Sequence, residues 1–568
     1  MSTKLSAQCA FFVRAALRTA CIAALVLAAT VRPTAQITQR PRPAEWSRLV
    51  EGGRFMDRFM PMPPGRLSKD LWGAEGVVPR YVDNGIENDS VSFWGGNILK
   101  GEDGKFHLFV CGWPESSLKG HHEWPNSTVF HATGDRPYGP FTVRDTVGRG
   151  HNPEIFRLRD NRYVIYVMDG RYVSNRIDGG WTYSRFEFDP RGRRIIEGLS
   201  NLTFARREDG SFLMVCRGGG IWISENGLSP YRQLTDERVY PPVEGNFEDP
   251  VVWRDHIQYH LIVNDWLGRI AFYLRSKDGI HWVVDPGEAY LPGIARHEDG
   301  YVEDWFKFER IKIYQDEYGR AVQANFAVID VLKNDDKKSD RHSSKNIAIP
   351  LNPGLLLTIL DTEPLTPDTK TLRVKIAAEK GFHPHTDVDI ASLRFGASTE
   401  VNFGRGAKAL RSEKTDDGLI VTFDAAASRI TDDEFAPKLI GKTTEGKLLY
   451  GYARLPWIDL PEPYLSALAP LFTARTDGFD LSIEVQNFGQ VASRETSLKL
   501  TAENDGKTVN VGTVPVPPLK PYEKTNVRLF APPLFEQGRE YAFTLTILSG
   551  EKTVSTFHFR ATPLKDWQ

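Results

Sequence analysis

One module recurs five times between about residue 90 and residue 350, and this repeat constrains the fold of the 568-residue chain more than any other feature. Each copy opens with a small or polar residue and runs as a short apolar strand. It turns at Asp, Asn or Gly and returns as a second strand rich in aromatic and aliphatic residues. The copies are GGNILKGEDGKFHLFV from Gly95, HNPEIFRLRDNRYVIYV from His151, SNLTFARREDGSFLMVC from Ser200, EDPVVWRDHIQYHLIV from Glu248 and ERIKIYQDEYGRAVQANF from Glu309. Turn dipeptides such as Asp103-Gly104 and Asp209-Gly210 mark each copy as a β-hairpin. A weaker module follows most copies: VFHATGDRPYGPF from Val129, IWISENGLSPY from Ile221 and FYLRSKDGIHW from Phe272. It reads as a third strand leading into a short fourth. Single hairpins are marginal in water, and stacking them about an axis buries both faces. The expectation is an all-β chain with a five-bladed β-propeller over residues 91–350.

The flanking segments differ in texture. Residues 36–90 are rich in Pro, Gly and Arg and read as a surface arm, part of which is expected to add a strand that closes the ring. From Thr371 onward, TLRVKIAAE, GLIVTFDA, DLSIEVQNF, TSLKLTAE and YAFTLTIL alternate apolar and polar residues, as antiparallel strands with one wet face do. EPYLSALAPL, from Glu462, reads as a boundary. The expectation is a β-sandwich at 355–460 and an immunoglobulin-like sandwich at 465–568.

Residues 1–35 read as a signal peptide, with Lys4, Arg14 and Arg18 ahead of an apolar run from Cys21 to Ala29 that is short for a membrane span. The competing reading is an uncleaved anchor. Cleavage makes the protein secreted or periplasmic, with no membrane association afterwards, and leaves Cys111 and Cys216. Both lie in apolar strand-like runs and read as buried thiols. A disulfide between them does not follow from sequence. Net charge is -2, so nothing draws the chain toward nucleic acid. The 13 Trp fit a β-rich fold and also clefts that stack on the apolar faces of sugar rings.

In a propeller the first strands line the axis and their starts converge at one mouth. That geometry gathers Asn152, Asn201, Asp249 and Glu309 around one cavity; the first copy offers Gly95, Gly96 and Asn97. Lys307 alternates with Phe308 and faces the same way as Glu309. A structural Lys307–Glu309 ion pair is the competing reading. Loop residues expected to shape the pocket are Trp113, Glu115, His121, His122 and Trp124, then His151, Arg217, Asp265 and Trp266. His297, Glu303 and Asp304 precede the fifth copy. No CxxC pair or His-rich metal spacing appears.

FEDPVVW around Asp249, SKDGIHW, and DGKFHLFVCGWPE resemble family 43 glycoside hydrolases, and KFERIKIYQDEYGR resembles the more distant family 117, which cleaves algal galactan oligosaccharides. The resemblance covers about residues 90–350. It implies five blades, hydrolysis with inversion, carboxylates in the central pocket, and room for a divalent cation in the channel, for which the sequence offers no ligand set. Inversion needs a base to activate water and an acid to protonate the leaving oxygen, with carboxyls about 6.5–9.5 Å apart. A third carboxylate raises the acid's pKa. Asp249, Glu309 and Lys307 are the catalytic candidates, and Lys307 stands where family 117 carries an acid histidine. Family 43 places its base Asp in the first blade, where this chain has Gly95-Gly96. Asp89 and Glu115 do not match that position. The expected function is exo-acting hydrolysis of plant or algal oligosaccharides. The alternative is a non-catalytic carbohydrate-binding propeller. A related phosphorylase would need Arg, Lys and His gathered around phosphate, and export disfavours it.

Overall fold

The computed structural model describes residues 39–68, 79–336, 344–533, 535–536 and 538–562. Residues 1–35, read from sequence as a signal peptide and carrying Cys9 and Cys21, lie outside them. Five small antiparallel sheets follow one another along the chain. The first is β1 (Val91–Lys100), β2 (Phe106–Pro114), β3 (Thr128–Gly134) and β4 (Thr142–Arg149). The second is β5 (Glu154–Arg157), β6 (Tyr163–Val167), β7 (Gly170–Ser174) and β8 (Thr182–Arg185). A two-residue β9 (Phe188–Asp189) pairs in parallel with the outer strand of the third sheet, which is β10 (Thr203–Arg206), β11 (Phe212–Val215), β12 (Ile221–Ser224) and β13 (Tyr231–Gln233). The fourth is β14 (Phe247–Arg254), β15 (Tyr259–Asp265), β16 (Ile270–Ser276) and β17 (Val283–Tyr290). The fifth has three strands, β18 (Lys307–Gln315), β19 (Ala321–Ile329) and β20 (Ser344–Pro350).

Burial explains the sequence pattern. Middle strands such as β6, β11 and β15 are buried along their whole length, whereas β8 is exposed along all of its own. Middle strands covered on both faces read as unbroken apolar runs. Neighbouring sheets lock through wedges of side chains. Tyr166 of β6 stacks on Phe204 of β10 at 3.9 Å, and Val251, Trp253 and Ile262 of the fourth sheet share a core with Phe308, Ile311 and Phe326 of the fifth. Each such side chain contributes about 1.5–3 kcal/mol when fully buried. The first strands face a common axis: β1, β5, β10, β14 and β18 together line one cavity of about 500 Å³. This arrangement is propeller-like. The arm joins its two ends. Ile86 N–H bonds Asn346 O of β20 at 3.0 Å, Asn84 exchanges two bonds with Ala348, and Phe141 N–H, at the edge of the first sheet, bonds Gly85 O.

Beyond β20 lies a seven-stranded sheet in the order β21-β22-β25-β24-β23-β26-β27. Its members are β21 (Leu357–Ile359), β22 (Thr371–Ala377), β23 (Val388–Gly396), β24 (Ala407–Thr415), β25 (Gly418–Asp424), β26 (Lys438–Thr443) and β27 (Leu448–Tyr452). The last unit has two four-stranded sheets. One holds β28 (Leu465–Ala467), β29 (Leu471–Arg475), β30 (Gly478–Asn487) and β33 (Lys524–Ala531). The other holds β31 (Thr496–Asn504), β32 (Lys507–Val516), β34 (Tyr541–Ser549) and β35 (Lys552–Ala561). Alternate residues from both, such as Leu481 and Ile483 against Leu500 and Leu545, fill one shared core, which is the physical origin of the period-two pattern.

Candidate active site

One residue at the head of each first strand has positive φ: Gly95 (20°), Asn152 (53°), Asn201 (49°), Asp249 (53°) and Arg310 (52°). The pairing with the second strand slips at this point in β1, β14 and β18, so the residue sits on a β-bulge that re-aims its side chain. Asn and Asp tolerate this conformation; Arg adopts it against its preference. The recurrence at five equivalent places corrects the register read from sequence. Arg310, not Glu309, is the counterpart of Asp249, and Glu309 is the counterpart of Glu248 and His151.

Ion pairs knit this mouth together. Arg310 Nη1 lies 2.5 Å from Asp249 Oδ1, and its Nη2 is 4.0 Å from Glu248 Oε1. Glu248 Oε1 also accepts from Asn201 Nδ2 at 2.9 Å and faces Arg217 Nη1 at 3.6 Å. Lys333 Nζ donates to Glu309 Oε2 at 2.6 Å, and Lys307 Nζ is 3.7 Å from Glu309 Oε1. Both ammoniums lie over indoles, Lys307 over Trp266 at 4.5 Å and Lys333 over Trp94 at 5.5 Å.

The two central carboxyls are pushed apart. Burial drives Asp249 up to about 7; Arg310 opposes the rise, and the charges of Glu248 and Glu309 add to it. Burial also pushes Glu309 upward, but Lys333 and Lys307 outweigh it and leave the group below its ordinary value. Burial lowers the Lys307 ammonium, against the pull of Glu309. His121 and His151 fall well below the ordinary imidazole value, first through burial and then through neighbouring cations, so both rings are neutral at pH 7.

Asp249, Asn201 and Arg217 are therefore linked through Arg310 and Glu248, and Glu309 and Trp266 through Lys307, the two sets adjoining where Glu309 precedes Arg310 in β18. Asn152 stands beside them, since a Cβ on Gly95 would touch both Asn152 Oδ1 and Arg310 Cβ. His151 is bound from below by Ser127 Oγ at 3.0 Å and lies 5.0 Å from the Trp124 ring. Trp113 is a buried wall packed on His121 and Trp94. Glu115 accepts from Ser92 Oγ at the start of β1. Asp265 is corrected from a substrate contact to an anchor: its carboxylate takes Arg40 Nε at 2.6 Å and the backbone amides of Asn246 and Gly268. His297 and Glu303 pair with each other, Glu303 also taking Trp305 Nε1 and the arm's Tyr81 amide. His122 bonds Asn334 on the surface. Sequence reasoning missed Arg310, Lys333, Glu248 and Tyr290, whose buried hydroxyl titrates upward through burial and through Asp249 and Glu309. The Glu-Asp-Pro run pointed at Glu248; Lys333, in the loop after β19, carries no pattern.

Along the channel, two residues after each positive-φ residue, stand Asn97, Glu154, Thr203, Val251 and Lys312. The Lys312 ammonium bonds Glu154, so the chain supplies its own cation there. Among the described residues no group of three or more His, Cys, Asp or Glu is placed to hold a metal ion.

No protein-family model and no curated protein matches the chain. Solved structures it is similar to include an alpha-L-arabinofuranosidase from Lactobacillus brevis, with 12% identity, TM-score 0.32, and 47% of this chain and 92% of that one covered. A thermostable family-43 glycoside hydrolase shows 10% identity and TM-score 0.31, covering 51% and 94%. The GH43 protein BlXynB from Bacillus licheniformis shows 9% identity and TM-score 0.31, covering 85% and 90%. None of these reaches a TM-score of 0.5, so the chemistry of the site is read from its own side chains.

Proposed function

We propose that the protein is an exported glycoside hydrolase acting at the ends of plant or algal oligosaccharides. In this reading residues 91–350 are a five-bladed propeller, and sandwiches at 355–460 and 465–568 support it. The observation that carries the reading is two buried carboxyls at one mouth in opposite environments: burial shifts Asp249 upward, to about 7, while Lys333 at 2.6 Å and Lys307 at 3.7 Å hold Glu309 below its ordinary value. Environments that push two carboxyls apart mark the acid and the base. Asp249 gives its proton to the departing glycosidic oxygen as the bond to the anomeric carbon breaks. Glu309 takes a proton from the water that attacks that carbon. Lys307 and Lys333 keep Glu309 charged, and Trp266 offers an apolar face to a sugar ring.

Turnover on an oligosaccharide panel tests this, beside Asp249→Asn and Glu309→Gln. Both variants should lose at least ~10²–10⁴-fold, the usual worth of a general acid or base. The rate should fall as pH rises past 7, where Asp249 loses its proton, and fall again at acid pH as Glu309 gains one. A product of inverted anomeric configuration, read by NMR, is expected. A second reading, carbohydrate binding without catalysis, is favoured by one observation: Asp249 and Glu309 are 2% and 0% exposed and tied to Arg310 and Lys333. Sugar binding with no turnover, unchanged in both variants, would establish it.

A further inference from the structure

The mouth holds more cation than carboxylate. Arg217, Lys307, Arg310 and Lys333 face Glu248, Asp249 and Glu309. A cluster assembled only to neutralise itself would match its counts. The cations are also under-used. Arg217 Nε is buried with no hydrogen-bond partner, and its Nη1 stands 3.6 Å from Glu248, too far for a hydrogen bond. Arg310 Nε is likewise buried without a partner. Asn152, only 7% exposed, leaves both amide atoms unpartnered beside the Arg310 side chain. Unpartnered arginine Nε atoms also occur elsewhere, at Arg58, Arg171 and Arg207 for example; what sets the mouth apart is that Arg310 stands beside an unpartnered Asn152 amide within a surplus of cation, and each buried donor costs about 1–3 kcal/mol until a ligand accepts from it.

A neutral sugar does not balance the charge; an oxyanion does both. The guanidinium fork suits planar carboxylates and sulfate oxygens, and its hydrogen bonds to them are about twice as strong as neutral ones. Arg217 is within reach, its side chain being 37% exposed.

We infer that the mouth takes a saccharide that itself carries an oxyanion, a carboxylate or a sulfate ester, and that Arg217, with Arg310 and Asn152, receives that group. The inference rests on the carbohydrate reading above and names its substrate class. Arg217 is the specificity determinant; the reacting carboxyls remain Asp249 and Glu309.

The test measures binding and turnover of the purified protein with three kinds of oligosaccharide of equal length: neutral, uronate and sulfated. A fourth arm adds inorganic phosphate. An anionic ligand should bind about tenfold or more tightly than its neutral counterpart, and that margin should shrink as salt is raised from 50 to 500 mM (on the order of a Debye length of 10 Å near 0.1 M). Arg217→Ala should erase the margin by weakening the anionic ligand about tenfold or more, and the salt dependence of binding should go with it. Should that variant fail to fold, the salt dependence of the parent decides the matter alone. The uronate and sulfate arms identify which oxyanion is read. Equal or better binding of the neutral ligand, with turnover still lost in Asp249→Asn, overturns the inference and leaves the hydrolase standing. No binding of any saccharide overturns both. Turnover that requires phosphate and yields a sugar phosphate overturns both in favour of phosphorolysis.

Discussion

Two of the clusters of buried charge among the described residues contrast, one at the channel mouth and one at a seam between sheets. At the channel mouth, Arg310 holds Asp249 at 2.5 Å and Lys333 holds Glu309 at 2.6 Å, but Lys307 and Glu248 stand off at 3.7 and 4.0 Å, and polar atoms such as Glu309 Oε1 and Arg310 Nε are left without partners. At the seam between the fourth sheet and the seven-stranded sheet, every nitrogen of the Arg275 guanidinium is hydrogen-bonded. Its Nε meets Asp285 at 3.0 Å, Nη1 meets Gln258 and Ala436 O, and Nη2 bonds Ser398 Oγ. Nearby, Lys438 Nζ bonds Gly52 O and Asn402 Oδ1, both at 2.7 Å. Arg58 is boxed by Phe55, Tyr273, Tyr450 and Tyr452 at 4.4–5.7 Å. Arg275 and Lys438, well supplied with partners, hold elements in register, and Arg58, its Nε unpartnered, is held by ring faces instead; at the mouth the unpartnered atoms lie among carboxyls and cations of perturbed titration, the setting in which chemistry is expected.

The largest expected effect breaks the comparison at the mouth. Asp249→Asn should cost at least ~10²-fold in turnover yet leave unfolding free energy within about 1 kcal/mol of the parent, because a buried carboxyl with a raised pKa already opposes folding at neutral pH. Its folded pKa of about 7 exceeds the ordinary 3.8, so its penalty grows as pH rises from about 4 to 7. Denaturant melts beside kinetics check both halves. A variant that loses stability in step with activity would erase the distinction between the clusters.

At the seam the signs reverse. Arg275→Ala strands Asp285 in a buried site and should cost about 3–5 kcal/mol of stability, with kcat and KM of the surviving folded fraction unchanged. Urea unfolding measures it. A loss below about 1 kcal/mol would mean that the seam's hydrogen bonds add nothing beyond packing.

Lys438 sharpens the same contrast by pH. Burial lowers it from 10.5 to about 7, with Arg58 adding to the fall. Between those values the unfolded chain binds a proton that the folded chain does not, so stability should rise with pH across that window, by at most about 1.4 kcal/mol per pH unit. Lys438→Met should flatten the rise. A slope equal in parent and variant would assign it to other groups.

Sequence alone disclosed the hairpins, because every copy carries a turn-forming dipeptide between two apolar runs, and it disclosed the last strands, because Leu498, Leu500 and Ala502 alternate with wet positions. It pointed to the arm as what closes the ring but did not place the closure at Ile86 and β20, where a single bridge stands instead of a strand, since a contact of one or two residues has no period. Nor did it place Arg310. Aligning Glu309 with Asp249 matched acid to acid, while the bulge follows a backbone angle that residue type does not announce in an Arg. Asp265 failed for a similar reason: an acid at a strand end looks the same whether a substrate or Arg40 uses it, and only the fold brings Arg40 across 225 residues.

The smallest expected effect probes how tightly the mouth is drawn. Gly95 has φ of 20°, and a Cβ there would lie 2.9 Å from Asn152 Oδ1 and 3.1 Å from Arg310 Cβ. Asn152 makes no hydrogen bond through its amide, so it is free to yield by the few tenths of an ångström required, whereas Arg310 is pinned by Asp249. Gly95→Ala should therefore cost only about 1 kcal/mol of stability, the scale of a non-glycine residue placed near the left-handed region. Displacing Asn152 should raise KM several-fold with kcat little changed, since the amide touches bound ligand and not the acid or base. A fall in kcat with KM intact would instead show that the Arg310–Asp249 pair had moved, making Gly95 part of what sets the acid rather than what receives the substrate.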